Sequence, residues 1–111
     1  PNKGEVTRKK LGTKINQVTL YIKEMDSESL RSDCLNILNN IKSYLEELNY
    51  AKVESDAIKI SNNIKRELGK LSKNVSDTTK PVVTKAVNDL RDNTVVFLKN
   101  VVRSLETKDI K

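Results

Sequence analysis

The side chains that could do chemistry in this chain are few. Its 111 residues include no His, one Cys and fifteen carboxylates. Proton transfer near neutral pH most often falls to His, and no Ser-His-Asp triad or His-containing zinc site can be assembled without it. A single Cys forms no disulfide framework. Glu46-Glu47 and the pair Asp89/Asp92 bring carboxylates close along the chain, yet helices routinely carry such pairs on solvated faces. The i, i+3 spacing of Asp89 and Asp92 would hold a cation only if further oxygen ligands converged. There is no Glu-x-x-His motif for a di-metal bundle and no glycine-rich phosphate loop. Cys34 falls on an apolar helical stripe beside Asp33, which suits a small buried hydrophobe better than a nucleophile. Asn74-Val75-Ser76 matches the glycosylation sequon, a motif frequent by chance. The expectation is a non-catalytic protein with no cofactor and no metal.

Charge is the remaining chemistry. With 21 Lys+Arg against 15 Asp+Glu the net charge is +6. Nucleic acid would draw on such a surplus through phosphate contacts. Only 4% of residues are aromatic, however, and the basic residues are interleaved with acids instead of forming a basic recognition helix. The charge is sorted by segment: residues 1–25 carry +4, 26–49 carry −3, 50–76 carry +3 and 77–111 carry +2. An acidic segment between two basic ones suits antiparallel helices whose order is helped by their charges, each exposed pair contributing under about 1 kcal/mol. The alternative is a basic face, from Arg8, Lys9, Lys10, Lys14 and Lys23 with Arg91 and Lys99, that attracts an acidic partner.

The elements that must position these groups are legible from apolar spacing. Steps of three and four run through Leu11, Ile15, Val18, Ile22 and Met25. They recur through Leu30, Cys34, Ile37, Ile41, Leu45 and Leu48, then through Val53, Ala57, Ile60, Ile64, Leu68, Leu71 and Val75. A fourth series runs through Val83, Val87, Leu90, Thr94, Phe97, Val101 and Leu105. Such spacing keeps one face of a helix toward a core. No segment shows sustained period-2 alternation, so no strand is expected. Asp26-Ser27-Glu28-Ser29 supplies capping oxygens for a second helix, Asn49 a stop or cap at a tight Leu48–Ala51 corner, and Pro81 a first-turn residue for a fourth helix. Gly69 sits inside the third stripe, and Gly12 similarly near the start of the first helix; each suggests close helix approach or a slight bend. The spacing predicts helices over 5–25, 27–48, 51–75 and 79–107. Short connections make neighbours antiparallel, giving an all-α, up-down-up-down four-helix bundle as a single domain over residues 1–111. The rival is a three-helix bundle whose first helix detaches or swaps. The polar start at Pro1 reads as the edge of a domain excised from a longer protein.

The fourth helix is too apolar for one face. Val95, Val96 and Val102 fall off its stripe, and between Asp92 and Arg103 only Lys99 is charged. Either this helix is central and buried, or one flank stays exposed for a partner.

The opening Val6-Thr7-Arg8-Lys9-Lys10 through Ile22, and the closing Ala86–Val102, resemble the focal-adhesion-targeting family of four-helix bundles. That family includes C-terminal domains of GIT-type and related polarity scaffolds. The resemblance covers nearly the whole chain as architecture and shares no specific motif. It implies a cytoplasmic scaffold or adaptor of the cytoskeleton and cell polarity. Such a domain docks an amphipathic, partly acidic helix of another protein between the first and fourth helices, or the second and third. On that reading Leu20, Val95 and Val102 form the apolar floor, and Lys14, Tyr21, Arg91 and Lys99 meet the ligand's acidic residues. Two other occupants remain open: a lipid or membrane surface on which the bundle opens, with Thr79–Val102 as the amphipathic segment, and a second copy of the chain that covers the exposed Val residues. No stretch approaches the roughly 20 apolar residues of a membrane span.

Overall fold

The computed structural model describes the backbone of residues 3–50, 54–76 and 80–109, with side chains over 8–48, 55–76 and 80–104. Four helices account for nearly all of it: α1 (Lys3–Lys23), α2 (Glu28–Tyr50), α3 (Glu54–Ser76) and α4 (Pro81–Asp109). They form a four-helix bundle in which α1 packs on α2 and α4, and α3 on α2 and α4. The diagonal pairs are not adjacent among the described residues. The first helix is therefore an integral wall of the bundle, and the three-helix rival falls away. The molecule measures 52 × 25 × 18 Å, which matches the roughly 44 Å length of a 29-residue helix at 1.5 Å per residue with side chains added.

The core is built from the stripes. Leu11, Ile15, Val18 and Ile22 of α1 face Cys34, Ile37, Leu38, Ile41, Leu45 and Leu48 of α2. They also face Ala57, Ile64, Leu68, Leu71 and Val75 of α3, and Val83, Val87, Leu90, Phe97 and Leu98 of α4. All are buried. Ile60, Leu30 and Val101 are only partly so, and Val53 and Leu105 lie outside the residues whose side chains are described. Thr94 is fully buried on the α4 stripe, and its hydroxyl donates to the Leu90 carbonyl at 2.7 Å. This turn-back bond satisfies the one polar atom its side chain brings into the core. Arg8 covers the end of the core, its guanidinium 5.7 Å from the centroid of the Phe97 ring, within cation–π range.

The ends of the helices follow from local chemistry. At the α1–α2 corner, backbone N–H groups of Glu24 and Met25 donate to the carbonyls of Tyr21 and Ile22, a tightened last turn. Met25 then folds back into the core. Ser27 is the cap of α2: its Oγ accepts from the Leu30 N–H at 3.2 Å. The Arg31 guanidinium donates to the Met25 carbonyl at 2.7 Å and ties the corner down. Pro81 opens α4, with the Lys80 carbonyl accepting from Val83 and Thr84. Every helix end differs from expectation by one to three residues, and the α2–α3 corner is where this matters. Helix α2 runs through Asn49 to Tyr50, so Asn49 lies inside the helix, and α3 starts at Glu54 instead of residue 51. The expected Leu48–Ala51 corner extends into residues outside the described ones. The glycines also differ. A Cβ built at Gly12 or Gly69 meets no atom within 4 Å, so neither glycine permits a close helix approach within this chain.

Candidate partner-binding surface

Antiparallel packing of α1 on α4 opens a shallow groove between them. It is lined by Lys14, Gln17 and Tyr21 of α1 and by Val82, Lys85, Ala86 and Asp89 of α4. At 100° per residue, Val82, Ala86 and Asp89 lie on one side of the buried α4 stripe, and Val96 continues the same line one and two heptads on from Asp89 and Val82. Val82 is 52% exposed and Val96 57% exposed. These are large losses of burial for apolar side chains on a helix with an otherwise well-formed core. The wall is polar at its rim: Lys85 and Asp89 are exposed, Lys14 and Tyr21 half-buried.

Among the expected partner-contacting residues, Lys14 and Tyr21 line this groove. Arg91, Val95 and Val102 do not. They lie on the other side of the α4 stripe, toward α3, with Lys99 farther out toward solvent. Val95 and Val102 are half-buried there, and the Arg91 guanidinium stands 3.5 Å from the Asp92 carboxylate. Leu20 is 64% exposed, but it sits on the outer face of α1, about 100° round from Tyr21, and forms no floor. The expected set is thus divided over two flanks and an outer face. The same holds for the expected basic face. Lys9 and Lys23 point outward from α1, Lys14 points toward α4, and Arg91 and Lys99 belong to the α3 side. Helix α4 is no more central than the others, since each helix has two neighbours; of its surplus Val residues, Val95 and Val102 are half-buried toward α3 and Val96 is left exposed.

Gln17 and Lys85 were not singled out by the sequence, and Val82 and Asp89 were noted there only as a widening of the fourth stripe and as half of a carboxylate pair. The signal that finds them is the Val82–Asp89–Val96 heptad spacing, which runs beside the core stripe and not on it.

The α2–α3 side is built differently. Glu67 of α3 is buried, and its carboxylate accepts from Asn40 Nδ2 of α2 at 2.7 Å and pairs with Lys70 Nζ at 3.1 Å. Asp33, Asn36 and Ile37 face Lys70, Lys73 and Asn74 across a shallow depression. Cys34 is fully buried below it. Burial pushes its thiol above the ordinary 9.0, a hydrogen bond with Asn74 opposes that, and the nearby Asp33 adds to it. A thiol held neutral in this way is a packing group. Among the described residues no three of Cys, Asp and Glu cluster so as to hold a metal ion, and no helix is long and apolar enough to cross a membrane.

Comparison with family models, curated proteins and solved structures finds no match to this chain.

Proposed function

We propose that this domain is a non-catalytic interaction module, a scaffold or adaptor. It takes an amphipathic, partly acidic helix of another protein into the groove between α1 and α4. The observation that carries this reading is the exposure of apolar side chains on the α1 side of α4, Val82 in the groove at 52% and Val96 two heptads beyond it at 57%. A groove accepts a helix through apolar anchors that give affinity and rim charges that give orientation; here Val82 and Val96 are the apolar positions, and Asp89 between them is one of the charges. Lys14 and Lys85 supply positive charge at the rim, which favours carboxylates on the incoming helix. Val82 to Val96 spans about 21 Å, or four turns, so the partner segment is about 15 residues long. The resemblance to focal-adhesion-targeting bundles supports the same class of partner and a scaffold role in the cytoplasm.

A designed 18-residue peptide tests the reading, with Leu at i, i+4, i+7 and i+11 and Glu at flanking positions. Titrated into the labelled domain, it is expected to shift the amides of Lys14–Tyr21 and Val82–Val96 and to leave α2 and the exposed face of α3 unperturbed. Val82→Asp with Val96→Asp is expected to weaken it at least tenfold, because each places a charge against an apolar anchor. Shifts confined to other surfaces, or an affinity unchanged in the double variant, would overturn the assignment.

A further inference from the structure

Helix α3 carries a feature that the groove does not use. Lys59, Arg66 and Lys73 are spaced by heptads and lie in one line along its outer face, with Lys70 beside that line; all four are exposed. The line spans about 21 Å. Of the carboxylates of α3, Glu54 and Asp56 stand in its first turn, and Glu67 is buried and held by Asn40 and Lys70. The outer face of α3 thus carries a ridge of positive charge that its neighbouring acids offset only in part: Asp56 stands one turn from Lys59, and Asp33 of α2 faces Lys70 and Lys73 across the depression. It lacks apolar anchors. The exposed large hydrophobic residues among those described are Leu20, Ile58, Val82 and Val96, and Ile58, the one on α3, stands about 100° round from Lys59.

We infer that this ridge docks the intact bundle onto an anionic lipid bilayer. Positive charge without apolar anchors gives attraction without shape, and a fluid leaflet of acidic headgroups meets a convex ridge of any spacing. A protein partner would need anchors that this face does not offer. Single-stranded nucleic acid would need aromatic stacking platforms, and residues 55–76 contain no aromatic side chain. The bundle need not open. Because α1 is diagonal to α3, a bundle resting on α3 turns the α1–α4 groove away from the membrane. The two surfaces therefore act independently, and this inference does not rest on the groove.

Co-sedimentation with phosphatidylcholine vesicles holding about 30% phosphatidylserine, at about 0.1 M and about 0.5 M salt, tests it, since the Debye length falls from about 10 Å to about 4 Å between them and binding should fall with it. Each Lys or Arg near an anionic leaflet multiplies partitioning about fivefold. Lys59→Gln with Arg66→Gln and Lys73→Gln should therefore weaken binding roughly a hundredfold. Lys9→Gln with Lys23→Gln and Lys42→Gln removes the same charge from exposed positions on α1 and α2 and should change binding only a few-fold. Val96→Asp should leave it unchanged. In bicelles with a gadolinium-bearing lipid, amides of 59–73 in the unaltered protein should broaden before those of α1, a readout that needs no variant. Equal losses in the two triple variants, equal binding to pure phosphatidylcholine, broadening led by α1 or α4, or binding to duplex DNA without binding to the anionic vesicles would each overturn it.

Discussion

At the scale of single residues, the structure separates polar groups that hold the core from those that strain it. Thr94 brings a hydroxyl into the interior and returns it to the Leu90 carbonyl. Ser61 does not: it is 2% exposed and its Oγ has no hydrogen-bond partner among the described residues. A buried hydroxyl left unpaired costs about 1–3 kcal/mol, so Ser61→Ala is expected to raise unfolding stability by about 1 kcal/mol in urea titration. An unchanged or lowered midpoint would show that the hydroxyl has a partner in solution. Cys34 has a pH consequence. Its folded thiol titrates above the ordinary 9.0 because it is buried, so the unfolded chain loses its proton first as pH rises. The stability Cys34 contributes is full below about pH 9 and is lost as pH climbs from there through the folded value. Unfolding stability measured between pH 8 and 10.5 should fall more steeply for the native chain than for Cys34→Ala. The thiol should also react with an alkylating reagent only as fast as the bundle opens.

At the scale of elements, periodicity made the helices plain, and local chemistry made most of their ends plain. Ser27 and Pro81 act as their residue types require, and the corner at Met25 is closed by the Arg31 bond to its carbonyl. The glycines misled because a glycine inside a helix has two readings. Sequence cannot tell a glycine that admits a neighbour from one that faces open space. Gly69 is exposed with no atom within 4 Å of a built Cβ and without a positive φ. Gly69→Ala should therefore recover helix propensity and raise stability by about 0.5–1 kcal/mol, read as a higher melting temperature. A lower one would mean that another molecule or a bent α3 needs the glycine. Helix α4 shows the same ambiguity in apolar form. Its extra Val residues are compatible with a central helix and with an exposed flank, and only the positions of α1 and α3 separate Val96, left in solvent, from Val95, half-covered.

At the scale of the whole molecule, the bundle concentrates its stability in the interior where the four stripes meet. Leu90→Ala, at a site of zero exposure, is expected to cost about 2–5 kcal/mol. Leu20→Ala, 64% exposed on the outer face of α1, should fall within about 0.5 kcal/mol of the parent; chemical denaturation of both distinguishes an integral α1 and α4 from loosely docked ones. The sequence by itself determined the fold class, the number of helices and nearly the whole core. A helix repeats every 3.6 residues whatever surrounds it, so its inward face is written in local spacing. It also determined the sorting of charge, including the basic third segment, whose heptad of Lys59, Arg66 and Lys73 is visible before any folding. Only the tertiary structure decided which flank of each helix meets which neighbour. Lys14 and Tyr21 were separated from Arg91, Val95 and Val102 because α4 has α1 on one side of its stripe and α3 on the other. That choice is made by the packing order of all four helices together, and no single helix carries it.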